Sequence, residues 1–393
     1  MFSSRTAWQT TTNTLTQAVE EYRRRGLPVI DLAASNPTEV ALDYDQGAIL
    51  AAFQQPKALE YHPDPRGLLS AREAVAAYYA GRDSHALLLD PSQIILTTST
   101  SEAYSFLFRL LCNPDDEVLV PAPSYPLFQF LADLNDIRLI QYPLFYDHGW
   151  HIDFVALEKK ITPRTRALLV VHPNNPTGSY VKAEEVAALS QLCAAREMAL
   201  ISDEVFLDYP HAGPAPKSFV ANQEALTFTL GGISKLCGLP QMKLAWLIAS
   251  GPEALTTAAL ARLEIIADTY LSLNTPLQLA APALIAQHSS MRSQLLERIQ
   301  SNLVELDRQL SGQSLCRRLE VEGGWYVILR VPSTRPDEEL AVALLRNCGL
   351  LVHPGHFYDF PRDGFLVVSL IAPAAAFAQG IRRILGEIPK LTA

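Results

Sequence analysis

Lys235 lies in the stretch Gly231 to Trp246, GGISKLCGLPQMKLAW, between the strand-like run Ala225–Leu230 and a second apolar run, Leu244–Ile248. Burying an ammonium is costly unless it is paired or neutralised. A lysine that forms an imine with an aldehyde escapes that cost, and burial lowers its pKa toward the nucleophilic range. Taken alone, Ser234-Lys235 reads more often as a solvated loop dipeptide. Other reactive types recur at the ends of strand-like runs. Ser99, Thr100 and Ser101 follow Ile94–Thr97 and open a helix, where free N–H groups and the helix dipole favour an anion. An ordinary Ser/Thr cap is the alternative there. Tyr125 follows Glu117–Val120 in the turn PAPSYP, and Asn175 is projected by PNNPTG after Ala167–His172. Asp203 and Glu204 follow Ala199–Ser202, and a carboxylate at a buried strand end needs a partner. An aromatic face, a hydroxyl-rich anion cradle, an asparagine, a carboxylate and a lysine are the parts that hold pyridoxal phosphate. The carboxylate keeps the pyridine nitrogen protonated, so that the ring acts as an electron sink, and the aromatic stacks on it.

These groups need a scaffold of strands and helices. Strand-like runs occur at Ile94–Thr97, Val118–Val120, Arg138–Gln141, Ala167–His172, Ala199–Ser202, Leu226–Leu230 and Leu244–Ile248. Helix-like segments lie between several of them, at Glu102–Leu111, Leu127–Leu134, Phe154–Lys160 and Ala183–Arg196. Such alternation predicts an α/β fold, a large domain with a mostly parallel sheet covered by helices on both faces. Its functional loops belong at the carboxyl ends of the strands. A helical stretch from about Pro252 to Leu310 is expected to break near Asn274-Thr275-Pro276. Beyond it, runs at Trp325–Leu329, Leu350–Val352 and Phe365–Leu370 alternate with helices near Glu338–Asn347 and Ala375–Leu385. They predict a smaller α+β domain that also takes in the N-terminal segment. The expected division is 1–45 for the N-terminal arm and part of the small domain, 46–275 for the large domain and 276–393 for the small C-terminal domain. Ahead of these lie an amphipathic helix at Thr14–Gly26, a short strand at Val29–Ala33, the polar turn Ser35–Thr38 and a proline-rich loop, Tyr61–Gly67, before a helix at Leu69–Ala80.

Charged residues make up 19% and hydrophobic residues 49% of the chain, so a large buried core is expected and global disorder is not. A formal net charge of −9 argues against a nucleic-acid-binding face. The five cysteines are scattered without a C-x-x-C, which suits a reducing compartment. The polar N-terminus does not read as a signal peptide, and no apolar run reaches membrane-spanning length. The expectation is a cytoplasmic protein without nucleic-acid or membrane partners.

The motifs N-N-P-T-G at Asn174–Gly178, S-D-E-V-F at Ser202–Phe206 and S-K followed eight residues later by Lys243 resemble the class I/II aminotransferases, fold type I pyridoxal-phosphate enzymes of the aspartate aminotransferase superfamily. The resemblance spans nearly the whole chain, from about Asp31 to the last strand. It implies that Lys235 carries the cofactor as an imine and shuttles the proton during transfer of an amino group between an amino acid and a 2-oxo acid. By the same resemblance Asp203 pairs with the pyridinium, Asn175 meets the phenolic oxygen and the substrate, and Tyr125 stacks. Ser99, Thr100, Ser101, Ser234 and Lys243 hold the phosphate. Tyr61 reaches the phosphate of the neighbouring subunit, which implies a homodimer with shared sites, and Asn36 faces the substrate unless it only caps its turn.

The chain departs from the family pattern in four respects. Phe206 stands where a tyrosine is usual, Gly232 where many members have a serine, and Lys243 where an arginine is usual, a point charge in place of a bidentate fork. Family members also clamp the substrate carboxylate with an arginine in the last strand, where this chain has Leu366 and Val367. Arg362 is the candidate substitute; if nothing substitutes, the substrate lacks a free α-carboxylate. Elimination, condensation and replacement chemistry on the same scaffold stay open, since cofactor motifs do not separate them. An effector-sensing domain of a regulator would need a DNA-binding module that the N-terminal segment is too short to hold. His148-x-x-His151 and His353-x-x-His356 have tolerable ligand spacing, but no cysteine or acidic cluster completes a metal site.

Overall fold

The structure is a computed structural model and describes residues 1–82, 89–213 and 216–392. After α1 (Thr14–Arg24), β1 (Ile30–Asp31), α2 (Gln46–Ala51) and α3 (Leu69–Ala80), the chain builds most of its large sheet. The order is β2 (Ile94–Thr97), α4 (Thr100–Leu111), β3 (Glu117–Ala122), α5 (Phe128–Leu134), β4 (Arg138–Tyr146), β5 (Trp150–Ile152) and α6 (Phe154–Glu158). There follow β6 (Thr165–Val171), α7 (Ala183–Ala195), β7 (Ala199–Asp203), β8 (Thr227–Gly232), α8 (Ile233–Leu236) and β9 (Ala245–Ser250). Three helices come next: α9 (Glu253–Tyr270), α10 (Thr275–Ala286) and α11 (His288–Leu310). The chain ends with β10 (Arg317–Arg318), β11 (Tyr326–Arg330), α12 (Asp337–Cys348), β12 (Leu350–Leu351), β13 (His353–Pro354), β14 (Phe365–Ser369) and α13 (Ala374–Thr392).

The eight-stranded sheet has the order β2-β9-β8-β7-β6-β3-β4-β5. The five central strands from β8 to β4 run parallel; β9 and β5 are antiparallel to their neighbours. Central strands such as β6, TRALLVV, read as almost unbroken apolar runs because both faces are covered. Val118, Leu169 and Ile201 pack on one face under α4 and α9, while Leu119, Leu168 and Leu200 pack on the other.

A four-stranded antiparallel sheet, β10-β11-β14-β13, and the pair β1-β12 form the smaller unit. Its core joins Leu15, Ala18 and Leu32 to Leu295, Ile299, Val327, Val367, Phe377 and Ile384. The helical stretch does break before Thr275, where Asn274 caps α10, and it breaks again at Gln287. Leu277, Ala281 and Leu284 of α10 pack with the large sheet, whereas Met291, Leu295 and Ile299 of α11 pack with the small one. Beyond the expected division at 275/276, the apolar residues of α10 thus pack beside α3.

Candidate active site

Strand register brings the carboxyl ends of β2, β3, β6, β7 and β8 to one edge. Val171 stands opposite Asp203, Asp203 opposite Leu230, and Gly232 opposite Ala245, which in turn faces Thr97. The loops carrying Ser99–Ser101, Tyr125, Asn175, Asp203 and Lys235 all leave from this edge.

At the start of α4, the Ser99 hydroxyl accepts from the Glu102 N–H at 3.1 Å. Thr100 and Ser101 are the first two residues of the helix, so their N–H groups have no intrahelical acceptor and remain available to an anion. Asp203 is buried; one oxygen accepts from the Tyr104 hydroxyl at 2.7 Å and the other from the Val205 N–H at 3.1 Å. Burial pushes its pKa above the usual carboxylate range, against these two bonds. Such a group gains from a cationic N–H partner. Glu204 instead binds the Ser218 hydroxyl at 2.6 Å and the Phe219 N–H at 2.7 Å, and burial pushes it up to about 7.

Asn175 is buried and its side-chain oxygen has no partner among the described residues. Its neighbour Asn174 is fully engaged, with Pro123 O and the Thr177 and Ser124 hydroxyls. Gly178 closes this turn at φ +68, and a Cβ there would come within 2.5 Å of Gly323 O. Glycine thus lets the Asn175 turn lie against the segment leading into β11.

Among the described residues the Lys235 amine has one hydrogen bond, to Ser35 O at 3.3 Å, and it faces the rings of Trp325 at 4.9 Å and Phe206 at 5.7 Å. Burial against these rings pushes its pKa down to about 8. The Tyr209 hydroxyl donates to Lys235 O at 2.6 Å and pins the backbone beneath it. Sequence reasoning did not find Ser35, Trp325, Tyr104 or Tyr209. Tyr104 had the one local signal, a position on α4 one turn beyond Thr100.

Tyr125 projects beside Asp203 and packs edge-on against Phe128 at 6.0 Å. Gly232 is accounted for by packing: a Cβ there would stand 3.0 Å from Ala245 Cβ and 3.1 Å from Leu244 O. Lys243 is exposed and adopts the left-handed conformation at φ +58. Tyr61 is 83% exposed, on the proline-rich loop. The Asn36 side chain caps its own turn, accepting from the Thr38 N–H at 3.1 Å and hydroxyl at 2.8 Å.

Arg362 is not brought to Lys235. It packs over Phe365, at the start of β14, with 5.9 Å from guanidinium to ring. The site lies at the other end, where Ser369 stands opposite Tyr326, and Ser35 lies against Tyr326. Four residues of strand separate the two ends by about 13 Å. Leu366 and Val367 are buried. His353 stands directly opposite Val367, and its Nδ1 bonds the Tyr358 hydroxyl at 2.9 Å. The Ser124 N–H donates to Tyr358 O at 2.9 Å, so Tyr358 and its partner His353 lie beside the turn that carries Tyr125. Burial lowers the His353 pKa, with Asp31 acting against it.

The profile of aminotransferases class I and II matches residues 28–376. The chain belongs to this family. It is 25% identical over 360 residues to the glutamate-pyruvate aminotransferase AlaA of Escherichia coli K12, covering 88% of this chain and 87% of that one. It is 26% identical over 371 residues to the alanine aminotransferase of Mycobacterium tuberculosis, covering 91% and 85%. Among solved structures it resembles an alanine aminotransferase from Pyrococcus furiosus, with a TM-score of 0.87 and 21% identity over 99% of this chain and 100% of that one. Aspartate aminotransferase from Thermotoga maritima superposes with a TM-score of 0.83 at 22% identity, with both chains fully covered. The protein is accordingly a pyridoxal-phosphate-dependent aminotransferase of the fold type I group. Elimination, condensation and replacement are not favoured. The residues present suit the cofactor: free N–H groups at α4, an unpartnered buried Asn175, a raised carboxylate and a lysine of lowered pKa.

Proposed function

We propose that Lys235 bears the cofactor and that Asp203, Asn175 and Tyr125 orient it, with Ser99, Thr100, Ser101, Ser234 and Lys243 around its phosphate. Bound there, pyridoxal phosphate supplies the electron sink for cleavage of the substrate Cα–H bond. Asp203, steadied by Tyr104, presents a carboxylate to the ring nitrogen. The Lys235 amine, free of ion pairs among the described residues and held at about 8, takes and returns the substrate proton. Phe206 has no hydroxyl to add to the contact of Asn175 with the phenolic oxygen. The rings of Trp325 and Phe206 form an apolar wall beside the amine. The observation that carries this reading is the meeting of Lys235, Asp203 and an unpartnered Asn175 at one sheet edge.

The substrates we infer are a small L-amino acid and a 2-oxo acid, with support from the relatives named for alanine and glutamate-pyruvate transamination. The carboxylate meets Asn175 and His353, since Arg362 lies at the far end of β14 and the Asn36 side chain is taken up in its cap. A donor screen that follows both keto product and ammonia tests this. Alanine or glutamate should yield keto product without free ammonia. His353→Ala should raise KM for the amino acid by one to two orders of magnitude, since a hydrogen bond to a charged group contributes about 1.5–3 kcal/mol. Stoichiometric ammonia, or a parent enzyme inert to every common amino acid, would sink the substrate reading. An unchanged KM in His353→Ala would move the carboxylate elsewhere.

We further infer a homodimer in which Tyr61 of the partner subunit reaches the phosphate. The exposed ring on its proline-rich loop supports this. Mixing Lys235→Ala with Tyr61→Phe should form heterodimers with one site free of both changes, so the mixture should exceed the mean activity of its two parents. A fully active monomer at assay dilution would rule the shared site out. No helix among the described residues is long and apolar enough to cross a membrane. A cytoplasmic location accords with five free cysteines.

A further inference from the structure

A cavity of about 320 Å³ lies between the β4–β5 hairpin of the large sheet and the start of the small one, and Lys235 does not line it. It opens beside a second recess of about 540 Å³, and Arg317, Arg330 and Arg362 line both. Arg317 and Arg330 stand directly opposite each other on β10 and β11, and Arg330 stands opposite Phe365, over which Arg362 packs. Like charges placed opposite one another in a sheet repel. None of the three forms an ion pair among the described residues. Of the carboxylates in the same region, Asp307 and Glu320 pair with Arg318, and Asp363 lines the second recess, accepting from the Asp337 N–H and forming no ion pair among the described residues. The chain as a whole carries a net charge of −9, so this cluster runs against its overall charge.

The remaining polar groups of the cavity point to the same ligand charge. Trp150 is 6% exposed, and its indole N–H has no partner among the described residues. The Tyr146 hydroxyl accepts from the Glu320 N–H at 3.1 Å, which leaves its own O–H free to donate. Guanidiniums, an indole N–H and a phenol O–H supply donors, and a donor-rich lining selects an acceptor-rich ligand. The walls are flat and aromatic: Phe360 stacks on Phe365 at 4.6 Å, and Trp150 meets Phe360 edge-on at 6.1 Å. Arginine recognises carboxylate or phosphate bidentately and packs on aromatic faces.

We propose that this seam is a second binding site, for a planar polyanion, either an aromatic polycarboxylate or a nucleotide, distinct from the transamination substrate. Its occupant would bridge Tyr146 and Trp150 of the large sheet to Arg317 and Arg330 of the small one. Pro123, two residues before Tyr125, also lines it. The ligand would thus fix the small sheet relative to the loop that carries Tyr125. The site stands independently of how the transamination residues are assigned.

Isothermal titration of the holoenzyme at low salt with benzene-1,3,5-tricarboxylate and, separately, with ATP tests it. One saturable site per protomer is expected for at least one probe, and the tighter probe tells polycarboxylate from nucleotide. Arg330→Gln should weaken that binding at least tenfold. Arg317→Gln, at an exposed position that does not endanger the fold, should do the same. Arg346→Gln, on the exposed face of α12, should bind like the parent. Saturation by neither probe overturns the proposal. So does Arg317→Gln binding like the parent, or Arg346→Gln weakening binding equally.

Discussion

Lys235→Ala should yield a protein in which borohydride reduction leaves no cofactor-labelled lysine. The loss removes a nucleophile and a proton carrier together, so transamination should fall by on the order of 10⁴-fold or more. The environment of the amine adds a pH signature. Rings of Trp325 and Phe206 and a single carbonyl, Ser35 O, surround it, and burial holds it at about 8. The neutral amine attacks the aldehyde, so its fraction grows as pH rises. Reconstitution of the apo-enzyme with pyridoxal phosphate should therefore speed up by about tenfold from pH 6 to 7 and level off above about pH 9. A cofactor-labelled lysine persisting in the alanine variant would show that another residue carries the cofactor. A flat reconstitution profile across pH 6–9 would show that the amine is not held near 8.

Asp203→Ala should lose at least about two orders of magnitude in single-turnover rate. That scale corresponds to roughly 3 kcal/mol of transition-state stabilisation, as expected when a buried charge facing a developing charge is removed. The carboxylate has two protein bonds, from Tyr104 and Val205, and burial still raises its pKa. It is therefore poised to gain from a protonated ring nitrogen. Because Lys235 is untouched, borohydride should still trap a lysine adduct in this variant. A near-normal single-turnover rate would remove Asp203 from this role, whereas loss of the adduct as well would indicate a collapsed site.

Much of the large domain was legible because its signals are local. The central strands are short apolar runs bounded by turn residues, and the parallel arrangement places their carboxyl ends on one edge. Ser99–Ser101, Tyr125, Asn175, Asp203 and Lys235 could therefore be grouped from strand-end position and residue type. The helix Leu69–Ala80 matched the structure to the residue, and the break before Thr275 came from an Asn-Thr-Pro turn. Local patterning did not reach β5, whose three residues Trp150–Ile152 form a strand only through pairing with the end of β4.

What the chain alone determined was the set of reactive residue types at strand ends and the family motifs around them. The tertiary structure decided which groups surround them. Register of β11, β13 and β14 set Arg362 at the far end from Lys235 and put His353 beside Val367. The same register aligned Arg317 with Arg330 although twelve residues separate them. Packing gave α10 to the large sheet, and it closed Trp325, Ser35 and Phe206 around the lysine from separate parts of the chain. Such placements depend on which strands pair and in what phase. A shift of one residue turns every side chain to the opposite face, and residue type carries no record of that choice.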